Sequence, residues 1–189
     1  MCTNRATMQI ESSDSPFSGQ SHWFAIRTRN EFLAEAALSK LCDEVYFPKE
    51  IVRREGKKPR QRAIIPHVLF IKTEVQKVKH LEKLSHTPSS ELPVSFWIYR
   101  YPQDTTIRII NQKSIDLLKL LTAADSSKCE IFNKTDFQPQ DRVLITDGQF
   151  KGYEGFVKRI KKNKHVVVEI QGICMIMLPF IHPDFLMKI

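Results

Sequence analysis

Residues 147–156 read DGQFKGYEGF. The chain holds 189 residues and six glycines, and three of those glycines, Gly148, Gly152 and Gly155, fall inside this stretch. They could cradle a phosphate, loosen a linker, or turn the corners of a very small β-barrel. A phosphate loop needs a Lys-Ser or Lys-Thr pair after its last glycine, and a dinucleotide fingerprint needs GxGxxG between a strand and a helix. Neither pattern is present, and the run VVVEI (166–170) downstream favours strand over helix. Phe150, Tyr153 and Phe156 alternate with the glycines, which flexible linkers do not do. The corner reading survives, because glycine reaches positive φ in tight turns and lets one strand pass close to another.

Working outward, RVLITD, GFVKRI, HVVVEI, ICMIML and DFLMKI are five short β-rich runs in about fifty residues, the signature of a small barrel. Upstream the character differs. HWFAIRT (22–28) suits a strand, and Asn30 offers a cap for a helix over 31–41 whose stripe would be Phe32, Leu33, Ala36, Ala37 and Leu41. Residues 44–55 read as extended, 56–61 as a turn, and 62–72 as a strand interrupted by Pro66. A helix over 75–84, a strand over 94–101 and a helix over 111–121 capped by Asn111 follow. This order predicts an α+β domain, with helices against a mostly antiparallel sheet. The expected division is a tail over 1–20, an α+β domain over 21–121, a linker over 122–138 and a barrel over 139–189.

The net charge is +8 and the pI about 9.4, which favours an anionic partner and says nothing about fold. Two clusters concentrate that charge. KEIVRREGKKPRQR (49–62) and KGYEGFVKRIKKNK (151–164) each net +5. Such loop-flanked clusters suit phosphate contacts, and lysines and arginines also guard exposed strand edges. The four cysteines stand far apart without metal-ligand spacing, so free thiols and no metal are expected. The polar, serine-rich N-terminus lacks a signal-peptide core, and no apolar run approaches the ~20 residues of a membrane helix, so a cytoplasmic location is expected. No nucleophile, base and orienter can be assembled, so no enzyme and no cofactor is expected.

VLITDGQFKGYEGFV (143–157) resembles the KOW motif of small SH3-like barrels, with Gly155 at the family's most characteristic position. HWFAIRTRNEFLAEAAL, VYFPKEIVRR, IIPHVLFIK and VSFWIYR resemble, in order and spacing, the NGN domain of NusG-type transcription elongation factors. The resemblance spans residues 21–189. Within the family the chain looks most like the specialised RfaH and UpxY paralogues, which accompany long capsule or polysaccharide operons and prevent early termination. It implies a ferredoxin-like or RRM-like NGN domain followed by the KOW barrel, and a non-enzymatic factor docked on the clamp helices of RNA polymerase.

The docking patch implied by position comprises Phe24, Ile65, Pro66, Val68, Phe70 and Trp97. The family's signature there is Phe-Pro-Gly/Asn-Tyr, where this chain has Ile65, Pro66, His67 and Val68. The competing reading makes the same apolar residues sheet core. Nucleic-acid contacts would come from Arg27, Arg29 and Asn30, where RfaH-like relatives read an exposed non-template DNA strand, and from Arg53, Arg54, Lys57, Lys58 and Arg60. Asn30 has a rival task as helix cap. The barrel of such factors recruits ribosomal protein S ten or the terminator Rho through a loop that is commonly Ile-Phe-Gly. Here it reads Ile170, Gln171, Gly172, and the missing aromatic argues against Rho. RfaH can hold its C-terminal half as helices, whereas HVVVEI and the glycines here favour a permanent barrel. The rival functions are a general RNA-binding module reading bases on Trp97, Tyr99 and Tyr101, and a ribosome-associated KOW protein.

Overall fold

Aromatic and β-branched side chains make β1 (Ser21–Thr28) the central strand of the first sheet. The computed structural model describes residues 19–53, 55–88, 90–103, 105–123, 130–132, 141–160, 163–179 and 181–189. β1 runs antiparallel to β5 (Val68–Glu74), from Ser21 opposite Glu74 to Arg27 opposite Val68. On its other side it pairs with β6 (Phe96–Ile98) and β7 (Ile109–Ile110), while β2 (Glu44–Tyr46) extends the sheet beyond β5. β3 (Lys49–Val52) and β4 (Arg60–Ala63) form a separate two-stranded ribbon.

Strand alternation divides the first sheet into two faces. Phe24, Ile26, Leu69, Ile71, Phe96 and Ile98 face α1 (Glu31–Leu38) and α2 (Val75–Ser85) and share a core with Ala34, Leu38, Val78 and Leu81. Trp23, Ala25, Val68 and Phe70 face the other way, into a cluster with Ile115, Leu117, Leu118 and Leu121 of α3 (Gln112–Ala123). Asn30 caps α1 as expected, its Oδ1 accepting from Leu33 N at 3.2 Å. The stripe of α1 differs from the expectation. Ala34 and Leu38, four apart, face the sheet, while Phe32, Leu33 and Leu41 are exposed. Two small turns of helix leave room for one buried column only, and Phe32 instead packs edge-on against Phe47. At the edge near α2, Glu82 receives hydrogen bonds from Arg100 and from Ile98 N. Burial raises the Glu82 carboxyl, but those bonds outweigh it and hold the group below its ordinary range.

The second sheet has the order β13 (Leu186–Lys188), β9 (Asp141–Ile145), β10 (Glu154–Ile160), β11 (Asn163–Ile170), β12 (Cys174–Met177) and β8 (Glu130–Phe132). The five runs read from the sequence are β9 to β13, so the architecture is α+β followed by a small all-β unit, and the C-terminal half is held as strands. The expected linker needs correction. α3 runs to Ala123, and residues 130–132 form β8, paired with β12 from Met175 to Met177. That strand has no periodicity of its own to announce it, because its partner lies far along the chain, Met177 opposite Glu130. The tail over 1–18 lies outside the described residues.

Gly148 and Gly152 stand in left-handed backbone at the β9–β10 turn. Gly155 has ordinary backbone and serves differently. A Cβ there would lie 2.7 Å from the carbonyl oxygen of Val167 and 2.9 Å from Val166 Cγ1, so β10 and β11 pass too close for any side chain.

The two units pack together. The cluster of Trp23, Phe70, Ile115 and Leu118 continues into Val143, Ile145, Phe150, Ile170 and Ile173 of the barrel. A polar seam borders it. Arg108 donates to the carbonyl oxygen of Gln171, Asn111 N donates to Gln171 Oε1 at 2.9 Å, and Lys113 Nζ donates to the carbonyl oxygen of Gly152 at 2.6 Å. The Arg108 guanidinium also lies 4.6 Å from the centre of the Tyr101 ring. Among the described residues no helix is long and apolar enough to cross a membrane.

Candidate functional site

The register of β5, β1 and β6 places Val68, Arg27 and Trp97 side by side across three strands. At the end of that row an open groove of about 660 Å³ is lined by Arg27, Thr28, Arg29, His67 and Trp97. Arg27 and Arg29 are exposed, and Trp97 is 50% exposed. Thr28 is buried, with its hydroxyl donating to the carbonyl oxygen of Ser95 at 2.9 Å. It therefore forms the floor, and the two arginines stand on either side of it in sequence.

His67 forms one wall, held in an uncommon conformation. Its φ is 65°, left-handed backbone that a residue with a Cβ adopts at a cost of about 1 kcal/mol. The turn is pinned from both sides. Thr28 N donates to the His67 carbonyl oxygen at 3.0 Å, and His67 N donates to Glu31 Oε1 at 2.7 Å. The same carboxylate lies 3.5 Å from His67 Nδ1. Gly and Asn are the residues that tolerate such left-handed backbone best. Replacing the half-buried acceptor should cost at least as much as replacing the ring. Glu31→Ala is expected to lose about 0.5–1.5 kcal/mol, because it removes the hydrogen bond that pins the turn while leaving the exposed amide to water. His67→Gly is expected to stay within about 1 kcal/mol of the parent, strain relief offsetting lost chain rigidity. Denaturant titration of both variants measures this, and a smaller loss for Glu31→Ala than for His67→Gly would show that the clamp is not what holds the turn.

On the Trp97 side, the His86 ring packs at 4.8 Å with a tilt of 43°, and His86 Nε2 is 2.9 Å from the carbonyl oxygen of Phe96. A half-exposed indole beside two guanidiniums is a stacking platform with charge alongside it. Such a platform holds an unpaired base by its π-face and its phosphate by charge.

The structure separates the residues implied for polymerase docking. Phe24 is fully buried on the α1–α2 face, opposite Phe70, and cannot belong to a patch with it. Consecutive strand residues point to opposite faces, and Phe24 pairs with Ile71 rather than with an exposed neighbour. Ile65, Val68 and Phe70 are 4%, 3% and 0% exposed and belong to the cluster shared with α3 and the barrel. The exposed members are Pro66, His67 and Trp97. The two aliphatics that replace the signature's aromatics thus serve as core, and the groove rim is what the outside meets. Asn30 is committed to its cap.

Arg53, Lys57, Lys58 and Arg60 are exposed on the β3–β4 ribbon, and Arg54 lies outside the described residues. In the barrel, Ile170 is fully buried and Gln171 is engaged by Arg108 and Asn111. The turn implied for partner contact is occupied by the chain's own first domain. The described thiols are held protonated: burial pushes Cys174 up to about 12 and Cys42 up to about 11. His67, His86 and Glu31 were not singled out by the sequence as parts of this site.

No protein-family model matches the chain, and no curated protein matches it significantly. Among solved structures it is similar to one described as "Domain interaction in Thermotoga maritima NusG", with 16% identity, covering 90% of this chain and 98% of that one, at a TM-score of 0.47. It is also similar to the MjSpt4:Spt5 complex in its conformation B, with 20% identity, covering 88% of this chain and 96% of that one, at a TM-score of 0.25.

Proposed function

We propose that this protein is a NusG-type transcription elongation and antitermination factor, of the kind that promotes read-through of long capsule or exopolysaccharide operons. The observation that carries the proposal is the groove that gathers Arg27, Arg29, His67 and Trp97. It sits in an α+β domain whose motifs resemble the NGN domain, followed by a barrel with glycine corners. In this reading Pro66, His67 and Trp97 meet RNA polymerase, and Arg27 and Arg29 hold an unpaired base of the displaced DNA strand. Trp97 is suited to the first task because a half-exposed aromatic at a fixed position is the usual form of an interface anchor. The barrel recruits a further partner, ribosomal protein S ten by the same resemblance. Because Ile170 and Gln171 are taken up at the seam, that recruitment requires the two domains to part.

The test is capture of the host's RNA polymerase by the immobilised full-length chain. Val68→Asp is a poor probe, since it buries a charge in the core and threatens the fold. Trp97→Asp removes an exposed anchor and leaves the core intact. Polymerase is expected on the parent chain and at least tenfold less on Trp97→Asp, with unchanged far-ultraviolet circular dichroism. No polymerase on the parent chain, or equal amounts on both, rejects the docking reading.

A further inference from the structure

The β3–β4 ribbon is a hydrogen-bonded unit of its own, joined to neither larger sheet. Its pairs run from Lys49 opposite Ala63 to Val52 opposite Arg60. Two of its cations are already neutralised. Lys49 Nζ lies 2.7 Å from Glu35 Oε2, and Arg62 is paired with Glu50 across the ribbon. For Arg53, Lys57, Lys58 and Arg60 there is no ion pair among the described residues, and all four are exposed. Three of these four cations border one concavity, and Arg53 stands outside it. Lys57, Lys58, Arg60 and Arg62 line a notch of about 310 Å³ with Val52 and Gln61. Lysine and arginine side chains bordering one small concavity suit an anion such as a phosphate.

We infer that the β3–β4 ribbon is a binding element for duplex DNA, gripping the phosphate backbone with Arg53, Lys57, Lys58 and Arg60. A two-stranded ribbon fits the major groove, which is about 12 Å wide, whereas a single strand offers no groove to receive it. A duplex also carries one charge per about 1.7 Å of axis, at fixed spacing, so a fixed set of four cations meets matching phosphates without first ordering the ligand. The contact is one of positioning and carries no base specificity. It uses a different surface from the Arg27–Trp97 groove and holds whether or not the chain docks on polymerase.

The experiment uses the purified full-length chain and a 5′-fluorescein DNA of about 30 base pairs and mixed sequence, with its single strand as the second probe. Anisotropy titrations run from about 50 to 200 mM salt. Four released counterions predict that the ribbon contributes about −3.6 to the slope of log K against log salt, or about 150-fold in affinity over that range. Arg53→Gln, Lys57→Gln, Lys58→Gln and Arg60→Gln together are expected to flatten the duplex slope by about that amount. Lys49→Gln with Arg62→Gln, which removes cations already paired, is expected to change it by less than about one unit. Arg27→Gln with Arg29→Gln is expected to weaken the single-strand probe and leave the duplex slope as it was. An unchanged duplex slope in the fourfold variant overturns the inference. So does a parent chain that binds the single strand as tightly as the duplex with the same loss in the fourfold variant. All these positions except the half-buried Lys49 are exposed, and an unchanged thermal midpoint verifies that each variant is folded.

Discussion

Gly155→Ala will break the barrel, and Gly148→Ala will not. At Gly155 the added Cβ meets backbone, the carbonyl oxygen of Val167 at 2.7 Å, and the branched side chain of Val166 at 2.9 Å. Neither is the far end of a flexible group. β10 and β11 must move apart at Phe156–Val167, where they are paired, and the buried layer of Val166 and Val168 moves with them. Overpacking of this kind costs about 1–3 kcal/mol, and lost ladder bonds add to it. A loss near 3 kcal/mol corresponds to a fall in Tm of about 6–12 °C for a cooperative chain of this size. At Gly148 nothing lies nearer than 3.9 Å, so alanine there suffers only the left-handed backbone cost of about 1 kcal/mol. Thermal unfolding of the two variants in parallel is the check. If Gly155→Ala unfolds within 2 °C of Gly148→Ala, the close strand approach is not what the glycine supplies.

Gly172→Ala will displace Arg108 from the polar seam between the domains. Its Cβ would lie 1.9 Å from Arg108 Nη1 and 2.9 Å from Cζ, in a residue with φ of 78°. The Arg108 guanidinium has to leave. With it go the bond to the Gln171 carbonyl oxygen and the geometry that lets Gln171 accept from Asn111 N. Arg108 Nε already lacks a partner, so little else holds this charged group in place beyond the Tyr101 ring. The expected result is a loss of about 2–4 kcal/mol in denaturant titration, since a buried charged bond is broken and strain is added, while the apolar cluster keeps the units together. Arg108→Ala removes the obstacle as well as the bond. The double variant should therefore lose at least 1 kcal/mol less than the two single losses combined, because residues in contact couple. Strict additivity would show that the seam does not depend on this pair.

Much of the fold was readable in advance, for local reasons. HWFAIRT, HVVVEI and ICMIML are β-branched and aromatic over short spans, Asn30 stands one residue before a helix, and glycines mark the β9–β10 turn. Each of these signals acts within a few residues and needs no partner. The stripe of α1 misled because a short helix buries only what its sheet can reach, and Ala34 with Leu38 won that place over the larger Phe32 and Leu33. β8 was invisible because pairing with β12, not propensity, makes it a strand. Of the site, Arg27 and Arg29 at the end of β1 were reached through the family resemblance rather than from any local signal. The inclusion of Phe24 failed because a shift of one residue along a strand reverses the face.

What belonged to the linear order of residues was the kind of each module: an α+β domain, then a barrel with glycine corners, with positive charge gathered in two places. These follow from periodicity and turn chemistry, which are properties of neighbours. Which apolar residues would be available to a partner, and which would be core, was settled only when β5, β1 and β6 lay side by side and the barrel came down on α3. The same is true of Gly172 and Arg108, 64 positions apart, and of Glu31 beneath His67. Contacts between residues distant in sequence carry no local signature, because burial and clash are set by the other side of the contact.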